Sequence, residues 1–138
     1  MIVYKTGKDL DLDADLDALI AVYRSCTLGE RRPIHDRARM RAMIEGSHIV
    51  VTAWDRGRTV GIARSISDFV YCTYLSDLAV DARYQRRGIG RELVRRTKAL
   101  GGRAAVLLFA APQAVEYYPH IGFTAGSGWM LREDEHVR

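Results

Sequence analysis

The chain has 138 residues, of which 48% are hydrophobic and 28% charged, with a net charge of +4 and a pI near 9.3. That length suits one domain, read as residues 1–138, with enough apolar material for a core that needs no disulfide or structural metal. No apolar run reaches a membrane span and the opening MIVYKTGKDL lacks a signal-peptide core, so the expected compartment is the cytoplasm, with no membrane partner.

Ile2-Val3-Tyr4 reads as a short strand closed by a turn at Thr6-Gly7. Five aspartates between Asp9 and Asp17 then alternate with apolar or small residues and invite a calcium reading. The calcium loop requires glycine at its sixth place and glutamate at its twelfth; from Asp9 these are Ala14 and Ile20, and from Asp11 they are Leu16 and Val22. The stretch is better explained as a helix start, with Asp13 or a neighbour as N-cap and Leu16, Leu19, Ile20 and Tyr23 as its apolar face. A link from Cys26 follows, and Pro33 is expected in the first turn of a second helix running to Glu45, with Ile34, Ala38, Met40, Met43 and Ile44 inward. Cys26 and Cys72 are far apart and have no metal-ligand spacing, which implies neither a disulfide framework nor a metal site.

His48–Trp54 and Thr59–Ile66 read as a β-hairpin around Asp55–Arg58. The aromatic run Phe69–Tyr74 either continues the sheet into Leu75–Val80 or lines an opening, and such a run is more often core or a dimer contact than a substrate wall. Beyond Val80 the chain enters an arginine-rich bend with two glycines and then a basic helix whose residues Ile89, Leu93, Thr97 and Leu100 recur at helical spacing. Free amides and the dipole at a helix N-terminus favour anions, Gly88 and Gly90 permit close approach, and Arg83, Arg86, Arg87 and Arg91 add positive charge. The segment is expected to hold a phosphate or pyrophosphate.

Gly101-Gly102 should end that helix, and Ala104–Ala110 reads as a buried strand. Ala111-Pro112 would turn the chain into a short helix from Gln113 to Tyr118, stopped by Pro119 and Gly122, with Phe123-Thr124 and Gly128–Leu131 as final strand material and a solvated tail from Arg132.

Gln85-Arg86-Arg87-Gly88-Ile89-Gly90 resembles the Q/R-x-x-G-x-G/A pyrophosphate loop of the GNAT superfamily of N-acetyltransferases. A second segment, Ala114-Val115-Glu116-Tyr117-Tyr118-Pro119-His120-Ile121-Gly122-Phe123, is similar to that family's A-x-x-F-Y-x-x-x-G-F pattern. The resemblance implies an α/β (α+β) fold: a mixed, mostly antiparallel sheet splayed open for CoA between strands near 75–81 and 104–110, flanked by about four helices. It also implies that the first two helices and their link flank the acceptor. Acetyl-CoA is the implied co-substrate, its pantetheine arm paired to the main chain of Leu78, Ala79 and Val80 as an added strand would be, and its pyrophosphate held by Gln85, Arg86, Arg87, Gly88, Ile89, Gly90 and Arg91.

Acetyl transfer to an amine needs an oxyanion donor, a neutral amine and an acid for the departing thiolate. The resemblance assigns the first task to a main-chain N–H near Leu78 and the last to Tyr118, with Tyr117 as packing. The base is open between Asp77, whose side chain would by alternation oppose Leu78 unless a bulge intervenes, and Glu116, His120, Asp81 or water. Many family members carry an asparagine where this chain has Ala111, so a side-chain contact to pantetheine is missing there. The leading reading is an N-acetyltransferase for a small-molecule or protein amine; the other is a non-catalytic acyl-CoA sensor or interaction module. Nucleic acid is not expected as the primary partner, since the arginines gather at the glycine loop and no aromatic-basic sheet pattern accompanies them. A homodimer is the default oligomer.

Overall fold

Five strands form one sheet in sequence order. In the computed structural model, which describes residues 1–138, they are β1 (Ile2–Thr6), β2 (Ile49–Asp55), β3 (Arg58–Ser67), β4 (Cys72–Val80) and β5 (Ala105–Leu107). β1 through β4 pair antiparallel, and β5 joins β4 in parallel, so the sheet is mixed and mostly antiparallel as expected. The helices are α1 (Leu12–Ser25), α2 (Arg37–Glu45), α3 (Ile89–Leu100) and α4 (Tyr117–His120). None is long and apolar enough to cross a membrane. The chain divides into two compact units, Met1–Leu108 and Phe109–Arg138.

In the first unit α1 and α2 cover one face of the sheet. Asp11 caps α1 by accepting from the Asp13 amide, and the apolar period behind it buries Leu16, Leu19, Ile20 and Tyr23 against Met40 and Ile44 of α2 and Val50, Ile62 and Ala79 of the sheet. Each such fully buried aliphatic side chain contributes roughly 1.5–3 kcal/mol. α3 covers the other face closely, because β3 offers Gly61, where a Cβ would lie 3.1 Å from Leu93 Cδ1 and 3.4 Å from Ile89 Cγ2.

The second helix starts later than its proline suggests. Ile34 and Asp36 donate backwards to Arg32 and Pro33, making a turn, and Asp36 then caps the Arg39 amide, so α2 begins at Arg37. That shift leaves Ala38 exposed, while Ile34, Met40 and Ile44 are buried. Leu100, the last residue of α3, is 44% exposed, and Val94 takes an inward place instead. The aromatic run does not act as one strand either. Asp68 Oδ1 accepts from the amides of Val70, Tyr71 and Cys72, which bends residues 68–71 into an exposed loop before β4 starts. β5 is shorter than its apolar composition suggests: it pairs through three residues on one side only, and Ala105 and Leu107 are exposed.

In the second unit Pro119 lies inside α4 rather than after it, which the first turn tolerates since amides there need no helical partner. Gly122, with φ of 103°, ends the helix. Phe123-Thr124 and Gly128–Leu131 form no strand, contrary to their reading as final strand material. In α4 the Tyr118 ring stands edge-on to Tyr117 and to Phe123, at 5.3 and 5.4 Å between centroids.

Candidate active site

β4 changes character along its length. Its first part, Cys72, Thr73 and Tyr74, is paired on both sides, to β3 and to β5. From Leu75 to Val80 it is paired to β3 alone. Asp81 donates its amide to Val60 of β3 at 2.8 Å; by alternation the main-chain groups of Leu78 and Val80 point away from β3, along the uncovered edge. The Val80 carbonyl on that edge accepts from Gln85 Nε2 at 3.2 Å. An uncovered strand edge offers an amide-bearing ligand the bonds a further strand would have made.

A β-bulge separates the two parts. Arg64 stands opposite Asp77 and Ser65 opposite Leu75, which leaves Ser76 as the extra residue. The bulge turns successive inward side chains to opposite faces. Thr73 bonds Ser67 at 2.7 Å, and its Oγ1 lies 2.7 Å from where a Cβ on Gly101, just past α3, would stand. Asp77 instead bonds Tyr23 of α1, and Ala79 belongs to the core under α1 and α2.

At the end of the uncovered edge, Asp81 caps a 3-10 turn over Ala82–Tyr84 and the chain bends through Arg86, with φ of 65°, and Gly88, with φ of 79°. A Cβ on Gly88 would meet nothing within 4 Å, so the demand for glycine comes from the left-handed backbone alone. Gly88 is also the N-cap of α3 and makes no side-chain bond. The helical bonding starts with Glu92 donating to Gly88, which leaves the amides of Ile89, Gly90 and Arg91 outside the ladder. Arg86, Arg87 and Arg91 are exposed around this point. Ion pairs in this segment use other residues: Arg83 meets Asp81, and Arg95 and Arg96 both meet Glu92. Those hydrogen bonds hold the Glu92 carboxyl down at about 2 and neutralise the one acid in the first turn of α3. Arg87 stacks 4.8 Å above the Tyr84 ring, whose hydroxyl donates to Asp55 at 2.7 Å. Unpaired amides at a helix start, with guanidiniums around them that meet no carboxylate, suit a pyrophosphate.

Asp77, the first candidate for the base, is sealed in the protein. Its Oδ1 accepts from Arg32 Nε at 2.6 Å and Ser76 Oγ at 3.1 Å. Its Oδ2 accepts from Tyr23 Oη at 2.7 Å and Arg64 Nε at 2.6 Å. Four donors fill the lone-pair sites of one carboxylate. Burial alone would raise its pKa; the Arg64 hydrogen bond and charge, the Arg32 charge and the Tyr23 hydroxyl outweigh it and hold the carboxyl below its usual range. The same burial, together with the facing carboxylate, pushes the Tyr23 phenol well above 10. Tyr23 read as an apolar-face residue, and Arg32 and Arg64 had no assigned role. Their signal in the sequence is faint, although an arginine inside the apolar strand Thr59–Ile66 is the kind of buried charge that demands a partner.

A family model described as an acetyltransferase (GNAT) domain matches residues 26–134. A probable acetyltransferase, TAP2, of Glycine max is 31% identical over 90% of this chain and 52% of its own length. A histone acetyltransferase, TAP1, of the same plant is 30% identical over 90% of this chain and 56% of its own. The chain thus spans about half the length of the curated relatives it matches. A Staphylococcus aureus structure described as a probable acetyltransferase superposes with a TM-score of 0.78 at 20% identity, covering 96% of this chain and 99% of that one, a likeness of fold.

Proposed function

The chain belongs to the GNAT acetyltransferase family, and from that premise we propose that it transfers the acetyl group of acetyl-CoA directly to a primary amine. The carrying observation is the uncovered edge of β4 running from Leu75 to Val80 and ending beside the uncapped start of α3. Acetyl-CoA supplies the acyl group as an activated thioester. The main chain of Leu78, Ala79 and Val80 holds the pantetheine arm, and the segment Gln85, Arg86, Arg87, Gly88, Ile89, Gly90 and Arg91 holds the pyrophosphate. The Leu78 amide, turned away from β3, donates to the oxygen that gains charge during attack. Tyr118 protonates the departing thiolate.

The base is water in this reading. Asp77 has its four acceptor sites filled and lacks contact with solvent, so its work is to anchor the bulge rather than to take a proton. Asp81 is likewise held by the Arg83 guanidinium. The name of the histone acetyltransferase relative makes a lysine side chain the first acceptor to try.

The test is thiol release from acetyl-CoA with lysine peptides, polyamines, amino acids and aminoglycosides as acceptors. Turnover with any of them supports transfer. CoA binding in calorimetry without turnover on any amine would favour the sensor reading, and absence of both would overturn the proposal. Tyr118→Phe should lower turnover about 10²-fold with acetyl-CoA affinity kept; an undiminished rate would remove Tyr118 from the acid role.

A further inference from the structure

The link between α1 and α2 sends one side chain into the bulge of β4. Arg32 follows the 3-10 turn Thr27–Arg31, and that turn is fixed against α1: Leu28 is buried, and a Cβ on Gly29 would sit 2.5 Å from the Tyr23 carbonyl. From there the guanidinium reaches three acceptors at once. Nε donates to Asp77 Oδ1 at 2.6 Å, Nη2 to the Ser76 carbonyl at 2.7 Å and Nη1 to the Arg31 carbonyl at 2.8 Å.

The Ser76 carbonyl is the informative partner. Ser76 is the residue that the bulge leaves without a counterpart on β3, so the ladder does not fix its carbonyl. The peptide between Ser76 and Asp77 is planar, so its carbonyl direction fixes the Asp77 amide, and only the two Asp77 dihedrals separate that plane from the peptide that carries the Leu78 amide. A rigid guanidinium fork holds such an oxygen in one orientation, where a lysine ammonium would hold only a point. Asp77 keeps two partners without Arg32, since Arg64 and Tyr23 grip its other oxygen, and Arg64 also donates to the Met43 carbonyl at the end of α2.

We propose that Arg32 is a positioning residue for acetyl transfer: by bridging the Ser76 carbonyl and the Asp77 carboxylate it fixes the bulged backbone that presents the Leu78 amide. The inference rests on the oxyanion role proposed above for Leu78. It ties the link between α1 and α2 to the rate of the chemical step.

The experiment compares Arg32→Ala and Arg32→Lys with the wild type in steady-state acetylation, thermal melting and amide NMR of 15N-labelled protein. A shift of the Leu78 amide by about 1 Å predicts a fall in kcat of about 10²-fold for Arg32→Ala. KM for acetyl-CoA should stay within about twofold, since the α3 loop is untouched, and the melting temperature should fall by less than in Asp77→Ala, since Arg64 and Tyr23 still hold the carboxylate. Ethylguanidinium should restore part of the rate, and lysine should not. An unchanged kcat in an active background, or a kcat loss matched by a raised KM and a melting temperature as low as that of Asp77→Ala, would overturn the assignment. Should the wild type acetylate no amine, the proposed function falls on its own. The amides then decide: displaced Asp77 and Leu78 resonances in Arg32→Ala support the latch, and unmoved ones overturn it.

Discussion

Two arginine groups in the first unit differ in what they face. Arg32 and Arg64 converge on one sealed carboxylate, whereas Arg86, Arg87 and Arg91 lie exposed around amides that α3 leaves unpaired. In the first group the charge is spent inside the protein, tying α1, the link after it, β3 and β4 together. In the second no guanidinium meets a carboxylate, and Arg87 has only the Arg83 carbonyl and the Tyr84 ring, which leaves positive charge beside unpaired amides as an anion would require. Arginine content alone separates nothing; the presence or absence of a matched carboxylate does.

Each group can be attacked separately. Asp77→Ala should have the largest effect, about 3–5 kcal/mol of stability in urea denaturation, because it leaves two guanidiniums and a phenol facing a void. A loss below about 1 kcal/mol would mean that the cluster is not a structural tie. Gly88→Asp comes next, with at least about tenfold weaker CoA binding in calorimetry, since a carboxylate and a strained left-handed residue are set against the pyrophosphate site. Gly88→Ala separates the two causes, because it keeps the strain and omits the charge. Unchanged affinity in both would detach the loop from the cofactor. Arg86→Gln and Arg91→Gln should weaken CoA several-fold at low salt and less at high salt, with stability moved by no more than about 0.5 kcal/mol. A large stability loss there would erase the contrast between the groups.

The same contrast has a pH signature. The folded pKa of Asp77 is depressed, so its contribution to stability is complete above the ordinary carboxylate range, near 4, and is lost as pH falls through the lower folded value. Acid titration should therefore destabilise the wild type more steeply than Asp77→Asn below about pH 4. Parallel curves would assign the acid sensitivity to other carboxylates.

The glycine loop was legible because its requirements are local: a strand, a left-handed bend at Gly88 and a helix start lie within a few residues. The hairpin and the apolar face of α1 were legible for the same reason. The Asp77 cluster was not, since Tyr23 and Arg32 lie 54 and 45 residues away and nothing nearby in the chain declares the pairing. The start of α2 was misread because Pro33 suits a first helical turn, while Asp36 does the capping three residues later. β5 was overestimated because apolar composition reports burial and not how many rungs a neighbouring strand offers. The bulge at Ser76 left no mark in composition at all, yet it decides where Asp77 lies.

That single unmatched residue works as a change of parity. Of the buried side chains, Thr73 before it answers to the layer containing α3, and Asp77 and Ala79 after it to the layer containing α1 and α2. Removing Ser76 would let every rung between β3 and β4 close with Asp77 still opposite Arg64, but would take away the carbonyl that Arg32 grips and the hydroxyl that bonds Asp77 and Arg64. One surplus residue in a strand of nine thus stands between a part paired on both sides and a part whose far edge is left uncovered.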